Sequence, residues 1–312
     1  MTDAPQFEGS YTVAVTPFTD DASAVDTDRL KAFLDWQLET GVLGIIMLGT
    51  TGEFITLSRE ERRTVVETTV QHIDGRIPVL IGTMNASTAI AVEQSVEAAE
   101  AGADGLMILP PYYYTPTDDE IYRYYEAITD AVSVPIMLYN NPVTSNVDMS
   151  AALVARLAKA FPNVSYIKES SQSIPRVGEV LELAGDDIVV YAGEQLVDSY
   201  ALGARGYVNP YGNYIPRASA GMYRLLSEGR VDEARHIDSL IHTFDAIIAE
   251  GHPTYGHQCY SKELARRAGY PVGPVRAPLT TFAQLGAEGE EKIERILKVT
   301  AEIDDYAVQI GL

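Results

Sequence analysis

The sequence predicts an α/β chain, a closed (β/α)8 barrel of the TIM type with a C-terminal helical extension, and three observations carry that prediction. Eight short apolar runs recur between residues 11 and 210, helical patterns fill the intervals, and the beat stops near residue 231. Most of the runs are continuously apolar rather than alternating, as expected of parallel strands buried on both faces. Eight strand–helix units within roughly 220 residues fit a closed barrel. An open doubly wound sheet is the alternative, but no G-x-G-x-x-G follows the first run. The barrel is assigned to residues 1–230 and the extension to residues 231–312.

The runs are 11–18, 44–50, 78–83, 105–111, 135–141, 164–170, 188–194 and 206–210. Leu30, Phe33, Leu34 and Leu38 mark the first helix, which ends before Gly41. Ser58 with Glu61 forms a capping box, followed by Val65, Val66, Thr69, Val70 and Ile73 at helical spacing. Thr117 with Glu120 forms a second, opening a helix through Ile121, Tyr124, Tyr125 and Ile128. Gly102 and Gly185 close helical segments ahead of the next run. Helical patterns then cover 231–250, 258–268 and 288–306, with a Gly/Pro-rich link over 269–278.

The chain has 312 residues, 46% of them hydrophobic, which suffices for a sizeable core. No apolar run approaches a membrane span and no signal-like segment opens the chain, so a cytoplasmic location is expected. Cys259 is the only cysteine, which excludes an intrachain disulfide, and it reads as a buried small residue. The net charge of −21 is spread along the chain and repels nucleic acid and anionic membranes. Self-repulsion of that size is best tolerated where salt screens it, so a halophilic source is expected, an ordinary acidic enzyme being the alternative.

The residues that matter in a barrel of this kind lie at the C-terminal ends of the strands. The sixth run ends in Lys168-Glu169-Ser170-Ser171, while the other five lysines, Lys31, Lys159, Lys262, Lys292 and Lys298, fall in helical patterns and are expected on wet faces. A shielded lysine can attack carbonyls, or it can be ion-paired inside the barrel; position alone leaves both open. The second run ends in Gly49-Thr50-Thr51-Gly52-Glu53, whose hydroxyls and backbone N–H groups suit a carboxylate or merely satisfy a turn. The fourth leads into Tyr112-Tyr113-Tyr114, a packed lid or an interface. The fifth ends in Tyr139-Asn140-Asn141-Pro142, which puts a phenol one strand from Lys168, fit for proton transfer or for capping the core. Gly193-Glu194-Gln195 and Asn209 to Asn213 end the seventh and eighth and offer polar contacts to a hydroxylated substrate. The five histidines are scattered, and no metal-ligand set, Walker loop or G-x-S-x-G elbow stands out.

Taken together, Gly49 to Glu53, Tyr139 to Pro142, Ile167-Lys168-Glu169 and Ala192-Gly193-Glu194 resemble the class I, pyruvate-dependent Schiff-base lyases related to dihydrodipicolinate synthase and N-acetylneuraminate lyase. The order and spacing hold along essentially the whole chain. The resemblance implies a (β/α)8 barrel, a homotetramer, and neither metal nor organic cofactor. It implies that Lys168 forms an imine with pyruvate or another 2-oxo acid, and that Tyr139 shuttles protons there and at the aldehyde partner. Thr50 and Thr51, with Gly49, would hold the pyruvate carboxylate, and Tyr113 would reach into the neighbouring subunit to complete a relay with Thr50. Val208 would present a main-chain carbonyl near the imine, and Ser170, Gly193 and Glu194 would line the substrate.

One departure bears on substrate. Synthases of dihydrodipicolinate carry an arginine five residues after the catalytic tyrosine, where this chain has Thr144. Losing a bidentate carboxylate clamp costs on the order of 1.5–3 kcal/mol of binding. A sialate-type assignment also fits imperfectly, since those lyases typically have a serine in place of Thr50 and an acidic pair in place of Glu194-Gln195. The expected activity is therefore cleavage or formation of a C–C bond between pyruvate and an aldehyde, on a 2-keto-3-deoxy sugar acid. The alternatives are 4-hydroxy-tetrahydrodipicolinate synthase and a 2-keto-3-deoxy acid dehydratase using the same imine. A barrel kept as a sensor or scaffold would have no use for Lys168.

Overall fold

The computed structural model describes residues 7–250 and 257–312; His252 lies outside them. Eight parallel strands follow one another in chain order in a closed barrel: β1 (Gly9–Val13), β2 (Gly44–Met47), β3 (Val79–Gly82), β4 (Gly105–Ile108), β5 (Ile136–Asn140), β6 (Val164–Glu169), β7 (Val189–Ala192) and β8 (Gly206–Asn209). The helices between them are α1 (Thr27–Glu39), α2 (Arg59–Ile73), α3 (Thr88–Glu100), α4 (Asp118–Thr129), the single turn α5 (Pro142–Ser145), α6 (Ala151–Ala160), α7 (Ile174–Ala184) and α8 (Leu196–Ala201). After β8 come α9 (Pro216–Ser227), α10 (Val231–Ala249), α11 (His257–Arg267) and α12 (Phe282–Gln309). The expected fold class is the one the chain adopts.

Seven of the eight apolar runs contain a whole strand and the first, 11–18, starts two residues inside β1; nearly every strand residue is buried. The runs over-read the strands at their C-terminal ends. Ala14, Val15 and Phe18 have left β1 yet are fully buried, so apolar character continues into the loop. Both capping boxes form: the Ser58 and Thr117 side chains accept from Glu61 N and Glu120 N, and each glutamate accepts the cap's backbone N–H in return. The last helix begins six residues before the expected 288, at Phe282, and is interrupted at Gly286, whose φ of 57° and ψ of −139° are open to glycine.

The chain divides into two compact units. One comprises Pro78–Val208 with the described residues up to Gly9, and so holds β3 to β7 and β8 except its last residue, Asn209. Its strands pair in sequence, and the β5–β6 register sets Tyr139 opposite Lys168 and Asn140 opposite Glu169. Gly206 opens β8 because the Tyr191 ring passes there, within 2.1 Å of where a Cβ would stand. The other unit comprises Ser10–Ile77 and Asn209–Leu312, with α1, α2 and α9 to α12. Within it Asn213 accepts from Val15 N at 2.9 Å and donates to Val13 O at 2.8 Å, tying the segment after β8 to β1.

Candidate active site

Backbone strain collects where the strands end. Among the described residues eight non-glycines have positive φ; six lie in segments leading from a strand to the following helix, Ala22, Leu48, Glu53, Tyr113, Gln172 and Gln195, and a seventh, Asn146, caps the single turn α5 that follows β5. Each such residue costs on the order of 1–3 kcal/mol and is retained where a site demands the geometry.

In the first unit, Lys168 and Tyr139 form one cross-strand pair. Lys168 is 7% exposed, and its Nζ lies 4.2 Å from the centroid of the Tyr139 ring. Among the described residues it has no hydrogen bond and no carboxylate partner. Tyr139 is 3% exposed, and Asn141 Nδ2 donates to its hydroxyl at 2.8 Å. An incoming donor occupies the phenol oxygen and leaves the phenol's own proton free to be given elsewhere. Ser170, two residues past Lys168 and just beyond the end of β6, is 2% exposed, and among the described residues its Oγ has no hydrogen-bond partner. Gly193 makes that packing possible: a Cβ there would stand 1.8 Å from Ser170 Oγ and 2.9 Å from Glu169 O.

The other residues expected in this unit are placed as follows. Val208 is fully buried on β8. Glu194 is half-buried and lines a small cleft with Glu169, Gln172 and Gln195. Thr144 lies on α5, where its hydroxyl donates to Asn141 O at 3.3 Å. Tyr113 and Tyr114 are 83% and 78% exposed, their rings edge-on at 5.3 Å.

In the second unit, Gly49, Thr50 and Thr51 form a turn between two left-handed non-glycine residues, Leu48 (φ 59°) and Glu53 (φ 55°). The first turns of α11 stand behind this segment. His257 Nε2 is 3.4 Å from Thr51 Oγ1, and Gln258 Nε2 donates to Thr50 O at 3.4 Å. One turn further along, Lys262 Nζ sits 2.6 Å from Glu53 Oε1 and donates to Pro274 O at 3.0 Å. Burial pulls the Lys262 ammonium down, to about 8, against the pull of Glu53. Arg276 N donates to the other Glu53 oxygen at 2.8 Å, and its guanidinium grips Glu61.

Two lysines thus depart from the expected wet faces. Lys262 is 2% exposed, and Lys292 is 8% exposed with its Nζ on Ile248 O and Glu250 O. Lys31, Lys159 and Lys298 are exposed as expected. Cys259 is buried, and burial pushes its thiol up to about 12. Sequence reasoning also passed over Asn141, Asn140 and Glu169 as individual residues, although all three belong to motifs already singled out. Among the described residues no group of three or more His, Cys, Asp or Glu side chains could hold a metal ion, and no helix is long and apolar enough to cross a membrane.

Comparison with known proteins gives the family. The model of the dihydrodipicolinate synthetase family matches residues 6–300. A 4-hydroxy-tetrahydrodipicolinate synthase from Persephonella marina is 36% identical over 300 residues, covering 94% of this chain and 98% of its own length. The enzyme of that name from Pelobacter propionicus is 39% identical over 250 residues, 79% of this chain and 85% of its own. Among solved structures, the 4-hydroxy-tetrahydrodipicolinate synthase of Methylacidiphilum fumariolicum superposes with a TM-score of 0.89 at 30% identity, covering 97% of this chain and 99% of that one. Escherichia coli YagE, a family member solved with pyruvate, superposes with a TM-score of 0.88 at 28% identity, covering 95% and 99%. The chain therefore belongs to the dihydrodipicolinate synthetase family and is an enzyme of the class I Schiff-base carbon–carbon lyase type.

Proposed function

We propose that Lys168 attacks the C2 carbonyl of pyruvate, or of a 2-oxo acid that contains it, and that the resulting imine makes or breaks the bond between C3 and an aldehyde carbon. The observation that carries this reading is the Lys168 amine, 4.2 Å from the centroid of the Tyr139 ring and without a hydrogen-bond or ion-pair partner among the described residues. Attack on C2 forms the N–C bond and a carbinolamine. Loss of its hydroxyl as water needs a proton donor, and Tyr139 is the candidate, since Asn141 already occupies its oxygen and leaves its proton to give. The protonated imine then draws electrons from C3, which loses a proton to give an enamine that adds to the aldehyde. Thr50 and Thr51 take the pyruvate carboxylate in this reading, and the strained residues on either side of their turn support it. The exposed Tyr113 and Tyr114 rings suit the relay with Thr50 across a subunit contact.

For the second substrate, the likeness to 4-hydroxy-tetrahydrodipicolinate synthases favours that activity, and hence aspartate semialdehyde. That reverses the order expected from the sequence, where Thr144 put a sugar acid first. The sugar-acid reading stands second on two observations. Thr144 supplies a hydroxyl where the synthases supply an arginine, and the orphan Ser170 hydroxyl suits a hydroxylated substrate. The purified enzyme, assayed in high salt as its acidic surface recommends, decides between them. The expected result is condensation of pyruvate with aspartate semialdehyde. Release of pyruvate from 2-keto-3-deoxygluconate without that condensation would promote the second reading, and formation of a 2-oxo-semialdehyde would point to the dehydratase.

A further inference from the structure

The Lys168–Tyr139 pair has a counterpart on the opposite face of the same two strands. Successive side chains of a strand point to opposite faces, so the next register pair, Asn140 opposite Glu169, lies behind the chemistry. Asn140 is fully buried and Glu169 is 5% exposed. Asn140 Nδ2 lies 3.0 Å and 3.3 Å from the two Glu169 oxygens and also donates to Asp148 Oδ1 at 3.1 Å, while its Oδ1 accepts from Met149 N at 3.0 Å. Glu169 also accepts from Ser171 N at 2.7 Å. Arg176, on α7, grips Asp148 through both terminal nitrogens, at 2.8 Å and 3.2 Å, and donates to Met149 O at 2.7 Å. One carboxamide therefore links β5, β6 and the chain returning from α5.

Upstream, the β5–β6 ladder is irregular. Ile136 pairs with Val164 and Met137 with Tyr166, so Ser165 is an extra residue. A slip of one residue on β6 would turn Lys168 to the outer face. Backbone pairing is degenerate to such a slip, but the Asn140–Glu169 bridge is not, because a slip would leave a buried carboxylate and a buried amide without their partners.

We propose that the Asn140–Glu169 bridge is a positioning device that holds Lys168 at its height against Tyr139. The proposal rests on the imine reading given above. The charged groups around Glu169 are Asp148 and Arg176 on one side and Glu194 across the small cleft. Burial pushes the Glu169 carboxyl up, against the hydrogen bonds from Ser171 and Asn140 and the Arg176 charge.

Two variants test the bridge, each assayed with pyruvate and the aldehyde below its own melting temperature. Asn140→Ala removes the bridge. It is expected to lower kcat by about 10²-fold, the scale of a small misplacement of reacting groups, with the KM for pyruvate little changed. Asn140→Asp keeps the shape but sets a carboxylate against Glu169 and Asp148. Its kcat is expected to approach wild type at low pH, where a shared proton restores the bridge, and to fall as pH rises. A lowered melting temperature with unchanged kcat and a wild-type pH profile would mean that the bridge only stabilises the fold, and would overturn the proposal. If Asn140→Ala fails to fold, the pH profile of Asn140→Asp decides alone. Borohydride trapping of pyruvate on the wild-type enzyme separates the two claims. No adduct there removes the imine reading, whereas an adduct with unaltered variants removes the bridge alone.

Discussion

Lys168 and Lys262 are both buried, and each places its ammonium over an aromatic ring, at 4.2 Å from Tyr139 and 4.0 Å from Phe18. Lys262 is completed by the protein: Glu53 at 2.6 Å and Pro274 O at 3.0 Å meet its hydrogens. Lys168 has the ring and nothing else among the described residues. A lysine held mostly out of water without a protein acceptor gains little stability from its amine, so a chain that keeps one keeps it for another reason. Burial alone does not mark a nucleophile; burial without a partner does.

Three substitutions can break or sharpen that contrast. Short of removing the nucleophile itself, the largest effect is expected at Tyr139→Phe, which should slow imine formation by roughly 10²–10⁴-fold, the usual scale of general acid–base help. Stopped-flow trapping measures it, and near-wild-type turnover would remove Tyr139 from the mechanism. Next, Lys262→Met should cost about 3–5 kcal/mol of stability, because it strands the buried Glu53 carboxylate. Lys168→Met should leave the melting temperature unchanged or higher while abolishing activity. Equal stability losses in the two variants would erase the distinction drawn here.

The smallest effect concerns Glu169, whose carboxyl burial raises above its ordinary value of 4.5. Between that value and the raised one, the folded chain holds a proton that the unfolded chain has lost, so stability falls as pH rises through the interval. Glu169→Gln removes this dependence. Its melting temperature should gain on wild type as pH is raised from acid to neutral, and a constant difference would contradict the assignment.

The contrast also explains what was legible in the sequence. Strands buried on both faces write themselves as apolar runs, so all eight could be read, and the capping boxes placed α2 and α4 to the residue. Lys168 stood out because it ends one of those runs. Lys262 did not. Residues 258 to 265 of α11 are all buried, yet they include Gln258, Ser261, Lys262 and Glu263, a composition that reads as surface. Their burial is sustained by Glu53, by Arg266 and Arg267 on Glu263, and by backbone acceptors, and no hydrophobic period records such partners. The same holds for Asn140 and Glu169, which face each other across two strands beyond an extra residue at Ser165. Polar burial is a property of pairs distant in sequence, and the single sequence displays only its members.

The most direct test of the central claim is borohydride reduction of the wild-type enzyme with pyruvate, followed by peptide mass mapping. One reduced pyruvyl adduct is expected, on Lys168, absent from Lys168→Ala, with Lys262 unmodified. No adduct, an adduct that survives in Lys168→Ala, or modification of Lys262 in its place would contradict it.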